Sequence, residues 1–313
     1  MIKNLVISGG GIRIMTIIGA IKYLEEKNIL CNIEKFYGTS AGSILCLLII
    51  LGFNNSEIIR FIENFNLNKI FKIDTDNFFT NYSICNNNKF EKLIKLFINF
   101  KITTNNLENL DIDRNYENIT MLELFNKTNK HLIVTTASIK QKKAVYIDHL
   151  LFPELPVWKA ILMSCSIPFI FQPVSWENDL YIDGGLIDNF PLFNIPQEEI
   201  KYTLGLETNI EHEIYDNYSN IYEYIYDIYK VITQTNKTYK YYNIITIKIG
   251  KNMINSSIDV DISNDIKNSL INEGYKQSCE IFPLLFQDNI NEKSTQTEPI
   301  INNLEKKKRS YSI

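Results

Sequence analysis

Ser40 stands in Gly38-Thr39-Ser40-Ala41-Gly42, and Gly9-Gly10-Gly11 follows the apolar run Leu5-Val6-Ile7-Ser8. A G-x-S-x-G sequence between a strand and a helix makes a sharp turn. Its glycines admit the bend without side-chain clashes and lift the serine hydroxyl above the sheet. A glycine run at a helix start presents backbone N–H groups that lack helical acceptors and can hold a developing oxyanion. A hydroxyl beside an anion hole is what acyl transfer requires, provided a base takes the serine proton. Three histidines occur, His131, His149 and His212. His131 begins a predicted strand, His149 ends one, and His212 sits between Glu211 and Glu213. Of these, His212 alone follows the Ser…Asp…His order of the hydrolase triad. A carboxylate in hydrogen-bond reach is the other option. Asp183 is the best placed, closing Leu180-Tyr181-Ile182 ahead of Gly184-Gly185, which allow close backbone approach. Both bases stay open on the residues alone, and Asp183 also reads as a plain turn residue.

The elements that must position these groups follow from periodicity. Asn4 to Ser8 is an apolar run suited to a buried parallel strand. Ile17, Ile18, Ile21 and Leu24 recur at helical spacing within Met15 to Glu26. A second strand, about Ile33 to Tyr37, leads into Gly38. One right-handed strand–helix–strand crossover therefore separates the two glycine segments and places both at the carboxyl edge of one sheet. Asn66 to Asn118, with a helical stretch Phe90 to Phe97, reads as an insertion or cap. Thr120-Met121-Leu122-Glu123 is a capping box. His131 to Ser138, Ala144 to Asp148 and Leu180 to Ile182 read as strands, and Pro156 to Ser164 as a helix with Pro156 in its first turn. Tyr202 to Glu207 and Ile244 to Ile249 are two further strands. The helix between them, Ile214 to Thr233, carries Tyr222, Tyr226 and Tyr229 and reads as packed on the sheet, with interfacial membrane contact as its alternative. A last helix covers Ser263 to Phe282. From Gln287 the chain turns polar, ending in Lys306-Lys307-Lys308-Arg309, and disorder is expected.

Composition narrows the function classes. The 313 residues carry a net charge of −4, which argues against nucleic acid as a partner. Cys31, Cys46, Cys85, Cys165 and Cys279 are scattered, with no close pair, and read as reduced thiols with neither a disulfide framework nor a metal site. The apolar run Ile44 to Leu51 is too short to span a bilayer. Met1-Ile2-Lys3 runs directly into the first strand, so no cleavable leader is expected, and the location expected is cytoplasmic with peripheral membrane contact. Gly9 and Gly11 fill two places of a dinucleotide G-x-G-x-x-G loop. The third place is Ile14, and the second strand ends in Gly38-Thr39-Ser40 without an acidic ribose ligand, so no nucleotide cofactor is expected.

Taken together, Gly9-Gly10-Gly11-Ile12-Arg13, Gly38-Thr39-Ser40-Ala41-Gly42, Ser164-Cys165-Ser166-Ile167-Pro168 and Tyr181-Ile182-Asp183-Gly184-Gly185-Leu186-Ile187-Asp188-Asn189-Phe190-Pro191 resemble the patatin-like phospholipases. The match runs from about Leu5 to Pro196. The resemblance implies an α/β fold, a three-layer α/β/α sandwich with a mainly parallel central sheet. It also implies hydrolysis of lipid esters by a Ser–Asp dyad, without active-site calcium or another cofactor. Carried over by motif, Ser40 is the nucleophile and Asp183 the proton acceptor. The Gly10 and Gly11 amides form the oxyanion hole, with Gly9 shaping the loop. Gly38 and Gly42 form the nucleophile elbow, Gly184 and Gly185 the aspartate loop, and Arg13 binds substrate or holds the structure. The family's usual glycine after the arginine is Ile14 here. An isoleucine keeps the N–H but disfavours positive φ, which calls the packing of this helix start against the serine turn into question. The organisation expected is a patatin-like domain over 5–196, an α/β extension packed on it over 197–286, and a tail over 287–313. The substrate expected is a lipid or a membrane surface. A non-catalytic scaffold of the same fold and a soluble carboxylesterase are the alternatives, and protein partners are not readable.

Overall fold

The computed structural model describes residues 1–64, 80–104, 115–210, 242–250 and 262–295, with single positions at 224, 228 and 231. The helix expected over Ile214 to Thr233, His212 and the basic end of the tail lie outside these described residues, those single positions excepted.

Strand β1 (Asn4–Ile7) pairs in parallel with β2 (Lys35–Thr39), Ile7 standing opposite Gly38. Helix α1 (Ile14–Glu26) crosses between them and buries Ile17, Ile18, Ile21 and Leu24, as their spacing predicts. β2 continues two residues beyond the predicted Tyr37, so the strand ends at Thr39 and the turn falls on Ser40. Helix α2 (Ala41–Ile50) follows at once, then α3 (Asn55–Asn64). The expected insertion contributes β3 (Ser83–Cys85) and α4 (Asn88–Thr104). Next come α5 (Met121–Thr128), β4 (His131–Ser138), β5 (Lys143–Ile147) and α6 (Val157–Ser164). The capping box at α5 is present in both directions, Thr120 with Glu123. Pro156 lies outside the first turn of α6, not within it as predicted. Its backbone is extended (φ −60°, ψ 134°), and its carbonyl accepts from the Lys159 and Ala160 amides.

The chain then forms β6 (Phe169–Phe171), β7 (Val174–Trp176), β8 (Asp179–Asp183) and the short α7 (Gly185–Asp188). It ends in β9 (Thr203–Ile210), β10 (Asn243–Ile249) and α8 (Asn264–Thr295). Helix α8 runs through Pro283 and past the predicted start of the tail at Gln287. Polar residues extend a helix that is already nucleated, so composition alone does not mark its end.

Among the described residues, eight strands make the main sheet. β10, β9, β1, β2 and β4 run parallel, whereas β5, β7 and β8 are antiparallel to their neighbours. The β1 residues are buried on both faces. Leu5 and Ile7 join a large cluster with α1, α2 and α6, and Val6 joins Tyr37, Ile133, Phe190 and Leu192 on the other side. This is the α/β sandwich the motifs implied. Helix α8 lies across α1 with backbone against backbone. A Cβ on Gly19 would sit 1.9 Å from the Ile271 carbonyl oxygen, and one on Gly274 1.8 Å from that of Thr16.

Candidate active site

Ser40 adopts φ 51° and ψ −126°, a left-handed turn between β2 and α2 that a side chain enters only under constraint. The constraint is steric. A Cβ on Gly38 would lie 2.5 Å from Ser43 Cα, and one on Gly42 2.5 Å from the Ile7 carbonyl oxygen, so both elbow glycines are obligatory. Hydrogen bonds complete it. The Ser40 amide donates to Ser164 Oγ at 2.8 Å, and the Ser164 hydroxyl donates to the Thr135 carbonyl at 2.6 Å. Ser43 returns its amide and hydroxyl to the Ser40 carbonyl at 2.8 and 2.6 Å. Ser40 is 9% exposed and stands at the positive end of α2.

The register brings Asp183 to the same place. β5 occupies one edge of β4 over Val134 to Ser138. β2 and β8 must therefore share the other edge. β2 pairs as far as Thr39 opposite Thr135, and β8 begins with Asp183 opposite Thr136. The carboxyl end of β2 thus runs into the carboxyl end of β8, one residue or about 3.3 Å apart in level along β4. At that junction β2 turns away at Ser40 and β8 turns away at Gly184. A Cβ on Gly184 would approach the Thr135 carbonyl oxygen to 2.3 Å. Asp183 is 1% exposed, and one of its carboxylate oxygens accepts from the Gly185 amide at 2.8 Å. The thiol of Cys165 lies within the same locus. Burial pushes it well above its ordinary value, Asp183 adds to this, and the Ser43 and Ser40 hydroxyls oppose it.

The glycine loop sits against the serine turn. The position of a Cβ on Gly9 falls 3.2 Å from Ser40 Cβ and 2.4 Å from Asn189 Oδ1. The Gly9 amide donates to the Asn189 carbonyl and Asn189 Nδ2 to the Gly9 carbonyl, each at 3.1 Å. Arg13 Nε donates to the Gly10 carbonyl at 3.1 Å. In a trans peptide the C=O of one residue and the N–H of the next point oppositely. Fixing the Gly9 and Gly10 carbonyls therefore aims the Gly10 and Gly11 amides the other way. Gly11 has φ 54°, which glycine supplies at little cost. Ile14 has φ −52° and opens α1 in ordinary helical geometry. The expected conflict with positive φ does not arise, and its side chain lines a cavity instead.

That cavity, about 210 Å³, is lined by Ser40 and Gly11 together with residues of α1, α2, α3 and α4. Its walls are almost entirely apolar, with Leu45, Leu48, Ile58 and Phe97 among its buried residues. The described histidines, His131 and His149, stay away. His131 stands opposite Lys35, four residues or about 13 Å along β4 from Thr135. It packs with His149 and Phe125, and burial lowers its pKa, with His149 and Lys35 adding to the effect. Ser164 and Asn189, which hold the serine turn and the glycine loop, received no role from the sequence, although both lie within the quoted motifs. Among the described residues, no three His, Cys, Asp or Glu side chains gather to hold a metal ion.

The chain is similar to several known proteins. An uncharacterized protein of Acanthamoeba polyphaga mimivirus is 27% identical over 295 residues, covering 90% of each chain. A probable lipid hydrolase of Invertebrate iridescent virus 6 is 32% identical over 199 residues, 61% of this chain and 62% of that protein. Triacylglycerol lipase 4 of Saccharomyces cerevisiae is 30% identical over 66% of this chain, which spans 24% of that larger protein. Among solved structures, VipD from Legionella pneumophila superposes with a TM-score of 0.58 at 16% identity, covering 89% of this chain and 66% of that one. ExoU of Pseudomonas aeruginosa superposes at 0.53 and 15%, covering 91% and 53%. Both share the fold. The patatin-like phospholipase profile matches residues 5–194, well over half of the sequence, and the chain belongs to that family.

Proposed function

We propose that this protein is a lipid acyl hydrolase acting through a Ser40–Asp183 dyad and an acyl-serine intermediate. The observation that carries the proposal is the abutment of β2 and β8 on one edge of β4, with the glycine loop packed against Ser40. The family and the lipase-named relatives support the same substrate class.

Asp183 accepts the Ser40 proton as Oγ attacks the acyl carbonyl carbon. The Gly10 and Gly11 amides receive the oxyanion. Collapse of the tetrahedral species breaks the ester C–O bond, and the leaving alkoxide takes the proton from Asp183. Water then attacks the acyl-serine, gives its proton to Asp183, and the acid departs as that proton returns to Ser40. A carboxylate is a weak base, so electrostatic stabilisation carries more of the barrier than with histidine. Losing one oxyanion donor costs about 10²–10³-fold. Arg13 and Asn189 serve as positioning residues that orient those donors. The apolar cavity beside Ser40 takes the acyl chain.

The test is fatty-acid release from mixed phospholipids, with products identified by mass spectrometry, alongside labelling by a fluorophosphonate probe. Ser40→Ala abolishes release and labelling, and Asp183→Asn abolishes release, with the fold retained in both. Undiminished turnover by Asp183→Asn would overturn the dyad, and absence of Ser40-dependent labelling would favour a non-catalytic scaffold.

A further inference from the structure

Helix α4 has two different long faces. Phe90, Leu93, Ile94 and Phe97 line the same cavity as Ser40. Lys89, Lys92, Leu96 and Phe100 are exposed and, at 100° per residue, fall on one adjacent stripe. Leu96 is 60% exposed and Phe100 50%, an apolar pair at i, i+4 with two cations on the preceding turns. Just before α4, β3 pairs with β6, Ser83 opposite Phe169. Tyr82 immediately precedes the partner of Phe169, and the two are 68% and 54% exposed. Both hold left-handed backbone, φ 57° and 68°, which is costly for an aromatic residue. The ribbon is continuous with the cavity, because Phe171 of β6 stacks on Phe90 of α4 at 5.9 Å.

We propose that the exposed stripe of α4, together with Tyr82 and Phe169, forms the surface by which the protein docks on an anionic lipid bilayer. The proposal rests on the hydrolase reading above and names where its substrate is met. Aromatic and apolar side chains enter the headgroup boundary while Lys89 and Lys92 face lipid phosphate and carboxylate groups. A lipid tail leaving the bilayer at this surface passes only the thickness of one helix to reach the cavity. The charge of the stripe selects the occupant. The chain is net acidic, yet this apolar face carries cations, which suits an anionic membrane.

The experiment is co-sedimentation of the full chain with vesicles of phosphatidylcholine, with and without phosphatidylserine, read without turnover. Wild type sediments with the phosphatidylserine vesicles. Tyr82→Asn combined with Phe169→Asn, chosen because asparagine tolerates left-handed backbone, weakens binding about tenfold or more. Lys89→Gln with Lys92→Gln weakens binding by about fivefold per lysine and removes the preference for phosphatidylserine. All variants keep Ser40-dependent hydrolysis of a soluble short-chain ester, which also reports their folding. Wild type that ignores phosphatidylserine vesicles, or variants that bind as wild type does, would overturn the docking surface. In either case intact ester hydrolysis would leave the catalytic proposal standing, and its loss in wild type would sink the catalytic proposal separately.

Discussion

Ser40 is held at φ 51° and ψ −126°, and Gly38, Gly42 and Ser164 keep it there. Such backbone strain costs about 1–3 kcal/mol. Ser40→Gly releases it, whereas Ser40→Ala does not. Allowing for the larger unfolded-state entropy of glycine, Ser40→Gly is expected to be about 1 kcal/mol more stable than Ser40→Ala, with both inactive. Paired denaturant titrations measure this, and equal stability would mean the turn is unstrained. At this scale the serine turn and the glycine loop carried a local signal, whereas Asp183 stayed one of two candidate bases until the resemblance singled it out. Ser164 and Asn189 carried no such signal. Their bonds reach across 124 and 180 residues, to Ser40 and to Gly9, and no spacing in the sequence reports such a partner.

The crossing of α1 and α8 depends on two glycines inside helices, where glycine is otherwise unfavourable. A Cβ at 274 would strike backbone, the Thr16 carbonyl oxygen, and no rotamer relieves that. Gly274→Ala is expected to destabilise the protein by about 3 kcal/mol in chemical denaturation. Activity should fall as well, because α1 begins at the glycine loop. The cavity is also an element-scale feature. From Ser40 to Leu48, α2 advances eight residues, about 12 Å, along its wall. Leu48→Trp, placed among the buried side chains, is expected to shift the ester chain-length profile toward shorter acyl groups by about tenfold in kcat/KM. A series of monomeric esters reads this directly. Periodicity gave α1 and the parallel β1–β2 pair, and the capping box gave α5. Periodicity missed α3, β7 and the pairing of β7 with the expected strand β8, whose two-residue turn, Glu177 and Asn178, holds φ 46° and 61°. Only Asn178 hinted at that turn.

At the scale of the whole molecule, the buried carboxylate of Asp179 contributes to the response to acid. Burial pushes the Asp179 carboxyl up, but the Ser138 hydroxyl and the Lys140 and Leu180 amides outweigh it and hold the group below its ordinary 3.8. A depressed folded-state value means that the stability it contributes is fully present above the unfolded value and is lost as pH falls through the folded one. Thermal unfolding followed from neutral pH down to about 3 should show Tm falling at the acid end, less steeply in Asp179→Asn. The sandwich was expected from the resemblance and the parallel β1–β2 pair from apolar runs, whereas the antiparallel pairing of β8 was not legible, since its partner and not its own pattern sets it. That placement has a further effect. Ladder pairing advances only in whole residues, so the offset between the ends of β2 and β8 along β4 is set in whole steps, and no gradual drift in the intervening chain can change it. Loops between residues 40 and 183 are free to lengthen or shrink over evolutionary time, because the excursion departs from and returns to one fixed mooring.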